Sequence, residues 1–321
     1  MKHQILCVVG PTASGKTKLS IELAKRYDGE VLSCDSMQIY RGMTIGTAKP
    51  TAEEMDGVPH HMIDVADPGE AFSVSRYVEM ADPILQDILA RGKTCVIVGG
   101  TGLYVDSLIA GRSFAPFPET GKRQELERLA AEQGIDAVLD ILRRHDPDSA
   151  ARLHPSDRRR IIRAAEVWLE TGKTITQHNK ETQALPPKYT GAWIGMDFLD
   201  RAALYGRIDR RVELMLEDGL AEEVQTLLQS GVPKTATSLQ AIGYKELIAA
   251  MEGRCSMAEA VEAIQRESRR YAKRQLTGFR RNPGIHWIRQ GNPPDFPAAL
   301  ADALDYVSTL EDAPATWREK A

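Results

Sequence analysis

Short apolar runs alternate with segments of helical periodicity through the first third of the chain. Three such runs, Ile5–Val9, residues 31–33 and residues 95–98, are each followed closely by glycine or aspartate, which predicts short buried strands. Residues 15–26 carry apolar side chains at helical spacing directly after the first run. Strands that are apolar on both faces and alternate with helices indicate a parallel sheet that is covered on both sides.

A further helical pattern spans residues 73–91, with Ser73 as a suitable N-terminal cap. Pro83 lies inside this pattern, and proline lacks the amide hydrogen that the interior of an α-helix needs. We therefore expect a kink at Pro83 or a helix that begins late, near that residue.

The strand-like runs stop after residue 114. A proline-containing linker at residues 114–118 leads into a region that has helical signals only. These signals cover residues 125–133, 135–144 and 159–170, and Gly172 provides a stop for the last of them. A second linker at 183–189 precedes an apolar run, 192–196, that returns to the sheet. This order predicts an all-helical insertion within an α/β core.

The last third of the chain is mainly helical. Helical patterns occupy residues 200–218, 221–229, 244–251 and 256–279. Residues 285–288 form a final strand-like run, and the chain after Gln290 is rich in Pro, Ala and Asp, with one weak helical stretch at 299–310. We expect four segments: the first part of the core at 1–114, the helical insertion at 115–190, the second part of the core at 191–290, and a C-terminal tail at 291–321.

Composition changes this picture little. The 321 residues are 42% hydrophobic and 27% charged, with a net charge of −4, which is ordinary for a globular protein. A basic surface for a polyanion must therefore be local. There is no signal-peptide pattern and no apolar run near the ~18 residues that a membrane span requires, so we expect a cytoplasmic protein with no membrane association.

Metal-binding signals are weak in this sequence. The chain has four cysteines, Cys7, Cys34, Cys95 and Cys255. None has the CxxC spacing of a zinc site, so we expect buried thiols in a reducing compartment. His60 and His61 are adjacent, and adjacent residues rarely ligate one ion together, so we expect them to lie in a loop or to pack.

The strongest motif follows the first strand. Residues 10–17 read GPTASGKT and fit G-x-x-x-x-G-K-[ST] between a strand and a helix. The amides of such a loop bind phosphate oxygens, Lys16 adds a full positive charge, and Thr17 offers a hydroxyl to Mg²⁺. The residues of this predicted phosphate pocket are Gly10, Pro11, Thr12, Ala13, Ser14, Gly15, Lys16 and Thr17. Because most loops of this kind bind nucleoside triphosphates, the motif alone favours a kinase.

Two further segments are expected at the same edge of the sheet. Asp35 follows the second strand, and the glycine turn Gly99-Gly100-Thr101-Gly102 follows the strand at 95–98. The carboxyl ends of parallel strands form the edge where ligands bind. Asp35 there could bind Mg²⁺, accept a proton or cap the next helix. The amides of the glycine turn and the Thr101 hydroxyl could form a second set of donors, or could only start a helix.

Two segments concentrate positive charge. Four of residues 157–163 are arginine. On a helix, Ile161 and Ile162 would face inward and Arg159, Arg160 and Arg163 largely outward. Residues 266–281 hold seven basic side chains and one acid, Glu267, and helical spacing arranges them as a stripe suited to a phosphate backbone. For residues 157–163, the pattern alone favours an ordinary solvated basic face.

Several motifs together carry a resemblance that none carries alone. GPTASGKT, SCDSMQIY, TIGTAKP, VGGTGLYVDSL, DRRRIIRAAEV, SLQAIGYKEL and RRYAKRQLTGFRR occur in this order. Over residues 4–290 the chain closely resembles the bacterial tRNA dimethylallyltransferases, and the tail is unmatched. The resemblance implies a P-loop NTPase-like core, a helical insertion that contacts tRNA, and transfer of a dimethylallyl group from its diphosphate to the N6 amine of the adenosine 3′ to the anticodon.

The resemblance also implies roles for single residues. The phosphate loop would grip dimethylallyl diphosphate with Mg²⁺, and Asp35 would be the general base, with Thr101 near the departing oxygen. Arg207 would help to bind the diphosphate, although a solvated helix charge is an equal alternative. Ser36 and Gln38 would read the adenine edge. The residues placed against tRNA are Asp35, Ser36, Met37, Gln38, Thr101, Arg123, Arg159, Arg160, Ile161, Ile162, Arg163, Lys273 and Arg274.

Two other functions compete with this interpretation. A P-loop small-molecule or nucleoside kinase would transfer phosphate from ATP, with Asp35 on Mg²⁺ or on the acceptor hydroxyl. A nucleotide-gated RNA-binding switch would bind nucleotide tightly and give no product. We expect a monomer.

Overall fold

The computed structural model describes residues 5–112, 120–183, 186–314 and 317. The linker expected at 114–118 lies outside these residues. The chain divides into two compact units. The larger comprises Met1–Gly111 with Lys188–Ala321, and the smaller comprises Arg112–Pro187.

A parallel sheet of six strands forms the centre of the larger unit. The strands are β1 (Ile5–Val9), β2 (Gly29–Ser33), β3 (His60–His61), β4 (Thr94–Gly99), β5 (Gly191–Phe198) and β6 (Ile285–Gln290). Their order is β3-β2-β4-β1-β5-β6, and every pair is parallel. Strands β1 and β2 are buried throughout, as expected where helices cover both faces. The predicted α/β class with a parallel sheet is confirmed.

Helices make up most of the remaining chain. They are α1 (Lys16–Arg26), α2 (Ala52–Met55), α3 (Val74–Ala90), α4 (Gly102–Ala110), α5 (Lys122–Glu132), α6 (Ile135–His145), α7 (Pro147–Arg152), α8 (Arg158–Thr171), α9 (Ile175–Gln183), α10 (Arg201–Glu217), α11 (Leu220–Gln229), α12 (Tyr244–Met251), α13 (Met257–Phe279) and α14 (Phe296–Ser308). Within the described residues, no helix is long and apolar enough to cross a membrane.

The order of the strands brings three loops to one edge of the sheet. Strands β2, β4 and β1 are neighbours, and their carboxyl ends lead into residues 34–38, 99–102 and 10–15 respectively. These are the three segments in which the sequence places candidate chemistry. The sheet topology therefore brings the phosphate loop, the Asp35 loop and the glycine turn together.

Helix α3 begins at Val74, well before Pro83, where one of the two expectations placed its start. Ser73 Oγ accepts a hydrogen bond from the Arg76 amide, and the helix runs from Val74 with Pro83 inside it. The expectation of a late start at Pro83 was wrong. Cap formation at Ser73 and burial of Tyr77 and Val78 stabilise the first turns before Pro83.

His60 and His61 form a strand that is too short to be recognised from periodicity. They pair with β2 at the edge of the sheet. His61 Nε2 lies 2.8 Å from Glu30 Oε2, which agrees with a packing role. No group of three or more potential metal-binding side chains occurs in the described part of the chain. Cys7, Cys34 and Cys95 are buried thiols, as expected, and Cys255 is half-buried.

The described residues after Gln290 pack in the core of the larger unit, although the sequence pattern led us to expect a separate tail. Asp295 caps α14, whose Ala303 and Val307 are buried in the main core. Trp317 is 1% exposed, and its Nε1 donates to Thr94 Oγ1 on β4 at 2.7 Å. The weak amphipathicity of an alanine-rich helix concealed this packing from the sequence pattern.

The smaller unit is entirely helical in its described residues. Its core contains Leu126, Val138 and Leu142 together with Ile161 and Ile162 of α8. Ile161 and Ile162 are 0% and 3% exposed, so their side chains lie in this core, and the expectation that these residues contact tRNA stays a prediction. Burial in the core removes their side chains from solvent, and their role is to fix α8.

Candidate active site

The phosphate loop passes so close to strand β5 that its first residue must be glycine. A Cβ atom on Gly10 would lie 2.4 Å from the carbonyl oxygen of Met196, and the backbone there has φ of +144°. Gly15, at the start of α1, also has a positive φ, of +91°. Only glycine adopts these conformations without strain, so both glycines of the motif have a local structural reason.

Side chains bind the carbonyl oxygens of the loop. Lys16 Nζ donates to Pro11 O at 2.6 Å, Arg207 Nε donates to Ala13 O at 3.1 Å, and Gln290 Nε2 donates to Ser14 O at 2.8 Å. These oxygens are already bonded to cationic or amide donors and are therefore less repulsive toward an anion held in the loop. Gln290, at the end of β6, was not identified from the sequence.

The loop concentrates positive charge at a partly buried site. Burial, together with the neighbouring Arg211 guanidinium, lowers the pKa of the Lys16 ammonium to about 7, and Asp35 opposes both effects. Burial also lowers the pKa of Arg211. A bound polyanion would reverse this effect on Lys16, because an adjacent negative charge favours the protonated form. The site therefore has the electrostatics of an anion pocket.

Two arginines of α10 contact the loop one helical turn apart. Arg207 reaches Ala13, and its guanidinium lies 5.6 Å from the centre of the Phe198 ring. Arg211 Nη1 lies 3.4 Å from Thr12 Oγ1. Only Arg207 was selected from the sequence. Spacing of four residues on one helix face is the signal that could have identified Arg211.

A cleft of about 1150 Å³ opens beside the loop. The loop and first turn of α1, including Thr17, line one side of it, and residues of α10 and of the segment 44–56 line the others. Mg²⁺ usually retains several waters and binds substrate phosphates with one or two protein oxygens. The Thr17 hydroxyl could supply the protein oxygen, and a bound diphosphate would supply the phosphate oxygens. A site of this kind needs no cluster of protein carboxylates.

The Asp35 loop is fixed by its own carboxylate. Asp35 Oδ1 accepts hydrogen bonds from the amides of Met37 and Gln38, at 2.8 and 3.3 Å. Residues 36–39 form a turn, and the next helix is α2 at Ala52–Met55, so the carboxylate caps a turn and the alternative that Asp35 caps the next helix was wrong. No described residue donates to Oδ2, so capping leaves one oxygen for a second task. Asp35 also lies close enough to Lys16 to affect its pKa.

The glycine turn is held directly against the Asp35 loop. A Cβ on Gly99 would lie 2.3 Å from Cys34 O. Thr101 Oγ1 accepts a hydrogen bond from the Ser36 amide at 3.2 Å, and the Thr101 amide donates to Cys34 O at 3.3 Å. Thr101 and Asp35 are thereby kept in adjoining backbone segments, as their positions at neighbouring strand ends suggest.

Gln38 has contacts different from those expected of a base-reading residue. Its Oε1 accepts from Ser33 Oγ at 3.2 Å, and its Nε2 donates to Thr47 O and Ala48 O at 3.3 and 3.1 Å. In this structure the amide of Gln38 fixes the segment 44–50 to the Asp35 loop, so recognition of a base would require these bonds to be exchanged.

The TIGTAKP and SLQAIGYKEL motifs meet at one carboxylate. Glu223 accepts hydrogen bonds from the amides of Thr44 and Ile45 at 2.7 Å each and from Gly46 at 3.1 Å. Tyr244 donates its hydroxyl to Glu223 at 2.6 Å. A Cβ on Gly46 would lie 2.6 Å from the Tyr244 ring. These contacts fix the wall of the cleft and explain both motifs by packing.

Several of the basic residues at 266–281 have acidic partners. On α13, Arg269 pairs with Asp209 and Arg270 with Glu267. Lys273 and Arg274 are exposed, and the Arg274 guanidinium lies 5.6 Å from the centre of the Tyr271 ring. Arg266 lies 3.7 Å from Glu267, and Arg280 lies 2.9 Å from Asp197. Four of the seven basic side chains are therefore partly neutralised, and the positive charge is concentrated near Lys273 and Arg274.

In the smaller unit, α5 and α8 present the selected arginines. Arg159, Arg160 and Arg163 are all exposed, as helical periodicity predicts. Arg163 donates to Glu166 at 2.9 Å, and Arg123 lies 3.6 Å from the same carboxylate. Arg160 is the most solvent-accessible of the paired arginines here, with 76% of its side chain exposed.

Comparison with known proteins gives a consistent family. Residues 38–282 match the family model described as IPP transferase, and residues 3–67 match that described as isopentenyl transferase. A tRNA dimethylallyltransferase of Halalkalibacterium halodurans is 47% identical over 309 residues, which cover 96% of this chain and 98% of the relative. One from Caldanaerobacter subterraneus is 47% identical over 290 residues, covering 90% of this chain and 92% of the relative.

Solved structures agree with the sequence relatives. The full-length tRNA isopentenylpyrophosphate transferase of Bacillus halodurans matches with a TM-score of 0.73 at 42% identity, and the match covers 99% of this chain and 98% of that protein. A eukaryotic dimethylallyltransferase, described as acting on tRNA, has a TM-score of 0.79 at 27% identity, covering 99% of this chain and 84% of its own. The chain therefore belongs to the tRNA dimethylallyltransferase family.

Proposed function

We propose that the protein transfers the dimethylallyl group of dimethylallyl diphosphate to the exocyclic N6 amine of the adenosine 3′ to the anticodon in tRNA, and releases diphosphate. The observation that carries the proposal is the arrangement at the sheet edge. A predicted anion-binding loop, a carboxylate with one oxygen to which no described residue donates, and the Thr101 hydroxyl lie on three adjacent strand ends. This combination suits a reaction in which an anion leaves and a proton is lost.

The phosphate loop is the proposed site of the diphosphate. Its amides and Lys16 would stabilise the negative charge that develops as the allylic C–O bond breaks. Arg207 and Arg211, which already contact the loop, would contribute two further positive charges. Thr17 would hold Mg²⁺ against the phosphate oxygens, and the ion would neutralise charge on the leaving group.

Asp35 is the proposed general base. As the N6 nitrogen forms its bond to the allylic carbon, the nitrogen becomes acidic, and Asp35 Oδ2 would take the proton. The Met37 and Gln38 amides bound to Oδ1 would keep the carboxylate oriented during this step. Thr101 would donate its hydroxyl hydrogen toward the departing oxygen while its backbone amide remains bonded to Cys34.

The tRNA would be bound through local basic surfaces, because the protein carries a net negative charge. In the larger unit we assign this role to Lys273 and Arg274, with Ser36 and Met37 near the target base. In the smaller unit we assign it to four arginines, Arg123, Arg159, Arg160 and Arg163. The target base lies in a loop, so turning it out of its stack costs only a few kcal/mol. We propose that one chain acts as a monomer.

One assay tests the proposal against both alternatives. Purified protein is incubated with unmodified tRNA, Mg²⁺ and labelled dimethylallyl diphosphate, with ATP as a competing donor. We expect label in tRNA and no phosphorylated product from ATP alone. Phosphate transfer from ATP would indicate the kinase, and tight nucleotide binding with no product would indicate the RNA-binding switch.

A further inference from the structure

Gln275 connects the phosphate loop to the glycine turn through a single side chain. It lies on α13 and is 7% exposed. Its Oε1 accepts a hydrogen bond from the Thr12 amide at 3.0 Å, and its Nε2 donates to Gly100 O at 3.0 Å. The two ends of one amide thus bond the loop after β1 and the turn after β4. No local pattern in the sequence identifies this residue.

The contact uses a backbone amide of the phosphate loop. Amides in such loops commonly face the phosphate, but that of Thr12 is directed to Gln275. The Thr12 amide therefore anchors the loop. The Gly100 carbonyl immediately precedes Thr101, so its bond to Gln275 also restrains the residue that we place beside the departing oxygen.

A neighbouring side chain completes the connection. Tyr271 lies one helical turn before Gln275, and the side chains of Thr101 and Gln275 are near enough to its hydroxyl to lower its pKa, against the larger effect of burial. Burial and the charge of Asp35 raise the pKa of Tyr271 to about 12, so the hydroxyl keeps its proton at neutral pH. The same helix carries the exposed Lys273 and Arg274 on its outer side.

The fit between Gln275 and the glycine turn leaves no room for a larger residue. A Cβ on Gly100 would lie 1.9 Å from Gln275 Nε2 and 3.1 Å from Gln275 Cδ. The next atom it would meet, Gly10 O, is 3.7 Å away, which is an ordinary contact. An alanine at position 100 would therefore displace the amide of Gln275, whereas the surrounding backbone would accommodate it.

We propose that Gln275 is a positioning residue that sets the separation between the two groups of phosphate-oxygen donors, the loop at residues 10–17 and the turn at Thr101. The inference rests on the proposed function. The loop alone holds the diphosphate of the ground state, and both groups of donors are needed when charge builds on the bridging oxygen. Interactions that strengthen only in the transition state change kcat more than KM.

Steady-state kinetics of the full chain test the proposal, with unmodified tRNA, Mg²⁺ and labelled dimethylallyl diphosphate. Gln275→Met keeps the volume and removes both bonds, and we expect kcat to fall ~10²-fold, as for a misplaced reacting group, with KM for the diphosphate changed less than ~3-fold. Gln275→Glu can still accept from Thr12 but cannot donate to Gly100, so we expect a similar fall. Gln265→Met is the matched control, because Gln265 lies on the same helix and bonds Asp209 O instead, and it should retain the wild-type kcat.

A double-mutant cycle separates positioning from loss of fold. Gly100→Ala should lower kcat as much as Gln275→Ala, whereas in the Gln275→Ala background it should add less than ~3-fold, because the clash has been removed. Independent losses that multiply in the double variant would overturn the proposal. So would a Gln275→Met enzyme with wild-type kcat, an equal loss in Gln265→Met, or unfolding of both Gln275→Met and Gln275→Glu in thermal melts. Failure of the wild-type chain to label tRNA would instead refute the proposed function.

Discussion

Replacement of Lys16 by methionine should stabilise the ligand-free protein while abolishing its affinity for diphosphate. The lysine is held in the phosphate loop at an electrostatic cost, because burial and Arg211 lower its pKa from 10.5 to about 7. Lys16→Met keeps the aliphatic stem and removes the charge. The cost disappears, and the main cationic ligand for a phosphate is lost with it.

The size of the effect follows from the pKa. A tenfold change in proton affinity corresponds to ~1.4 kcal/mol, so the lowered pKa sets a ceiling of ~5 kcal/mol on the cost of keeping Lys16 charged at neutral pH. Lys16 is only partly buried, and solvent screening reduces such figures strongly. Lys16→Met also loses the hydrogen bond from Nζ to Pro11 O, which reduces the gain in the free energy of unfolding by ~1 kcal/mol. We expect a net gain of ~1 kcal/mol in the free energy of unfolding near pH 7.

The pH dependence has a definite sign. Between pH 7 and 10.5 the unfolded chain binds more protons at Lys16 than the folded chain, since the folded-state pKa is the lower one. The stability of the wild type therefore rises with pH across this window relative to the variant. The advantage of Lys16→Met should be largest below pH 7 and should vanish as the pH approaches 10.5.

Urea unfolding at several pH values between 6.5 and 9.5 measures this difference, since other groups titrate alike in both proteins. Lys18→Met removes the same charge from an exposed position on α1 and should show no such pH-dependent gain. Added diphosphate with Mg²⁺ should raise the unfolding midpoint of the wild type and not that of Lys16→Met. A Lys16→Met protein that is less stable than the wild type at pH 6.5, or a difference that does not change with pH, would refute the reasoning.

Three further substitutions test the site and its surroundings. Asp35→Asn keeps the acceptor for the Met37 and Gln38 amides but removes the general base. Turnover should therefore fall ~10²-fold or more, with tRNA affinity nearly unchanged. A large loss of tRNA affinity in a filter-binding assay would instead make Asp35 a recognition residue. Arg160→Ala should weaken tRNA binding and lower its dependence on salt concentration, and unchanged binding would remove Arg160 from the interface. Glu223→Gln should lower the free energy of unfolding, measured in urea, by ~1–2 kcal/mol, because the three amides and Tyr244 lose a charged acceptor. The neighbouring substitution Glu222→Gln serves as the control. Equal losses in the two variants would contradict the role given to Glu223.

Predictions from the sequence succeeded where neighbouring residues decide the structure. The strands β1, β2 and β4 are short buried runs, and the loop at residues 10–17 has its glycines where the backbone requires them. Helical periodicity placed Ile161 and Ile162 inward and the arginines of α8 outward. The assignment of the two isoleucines to tRNA contact came from the family resemblance and stays a prediction, whereas their burial agrees with the periodicity.

Contacts between distant parts of the chain were decided only by the tertiary structure. Gln275, Gln290 and Arg211 reach the phosphate loop from elements that follow it by about two hundred residues or more. The bonds of Gln38 to the segment 44–50 and the docking of Trp317 on Thr94 are of the same kind. A sequence shows that a glutamine is polar, but its partner depends on which strands are neighbours in the sheet. Here β1 lies between β4 and β5, so the three-dimensional order of the strands determines which side chains surround the loop.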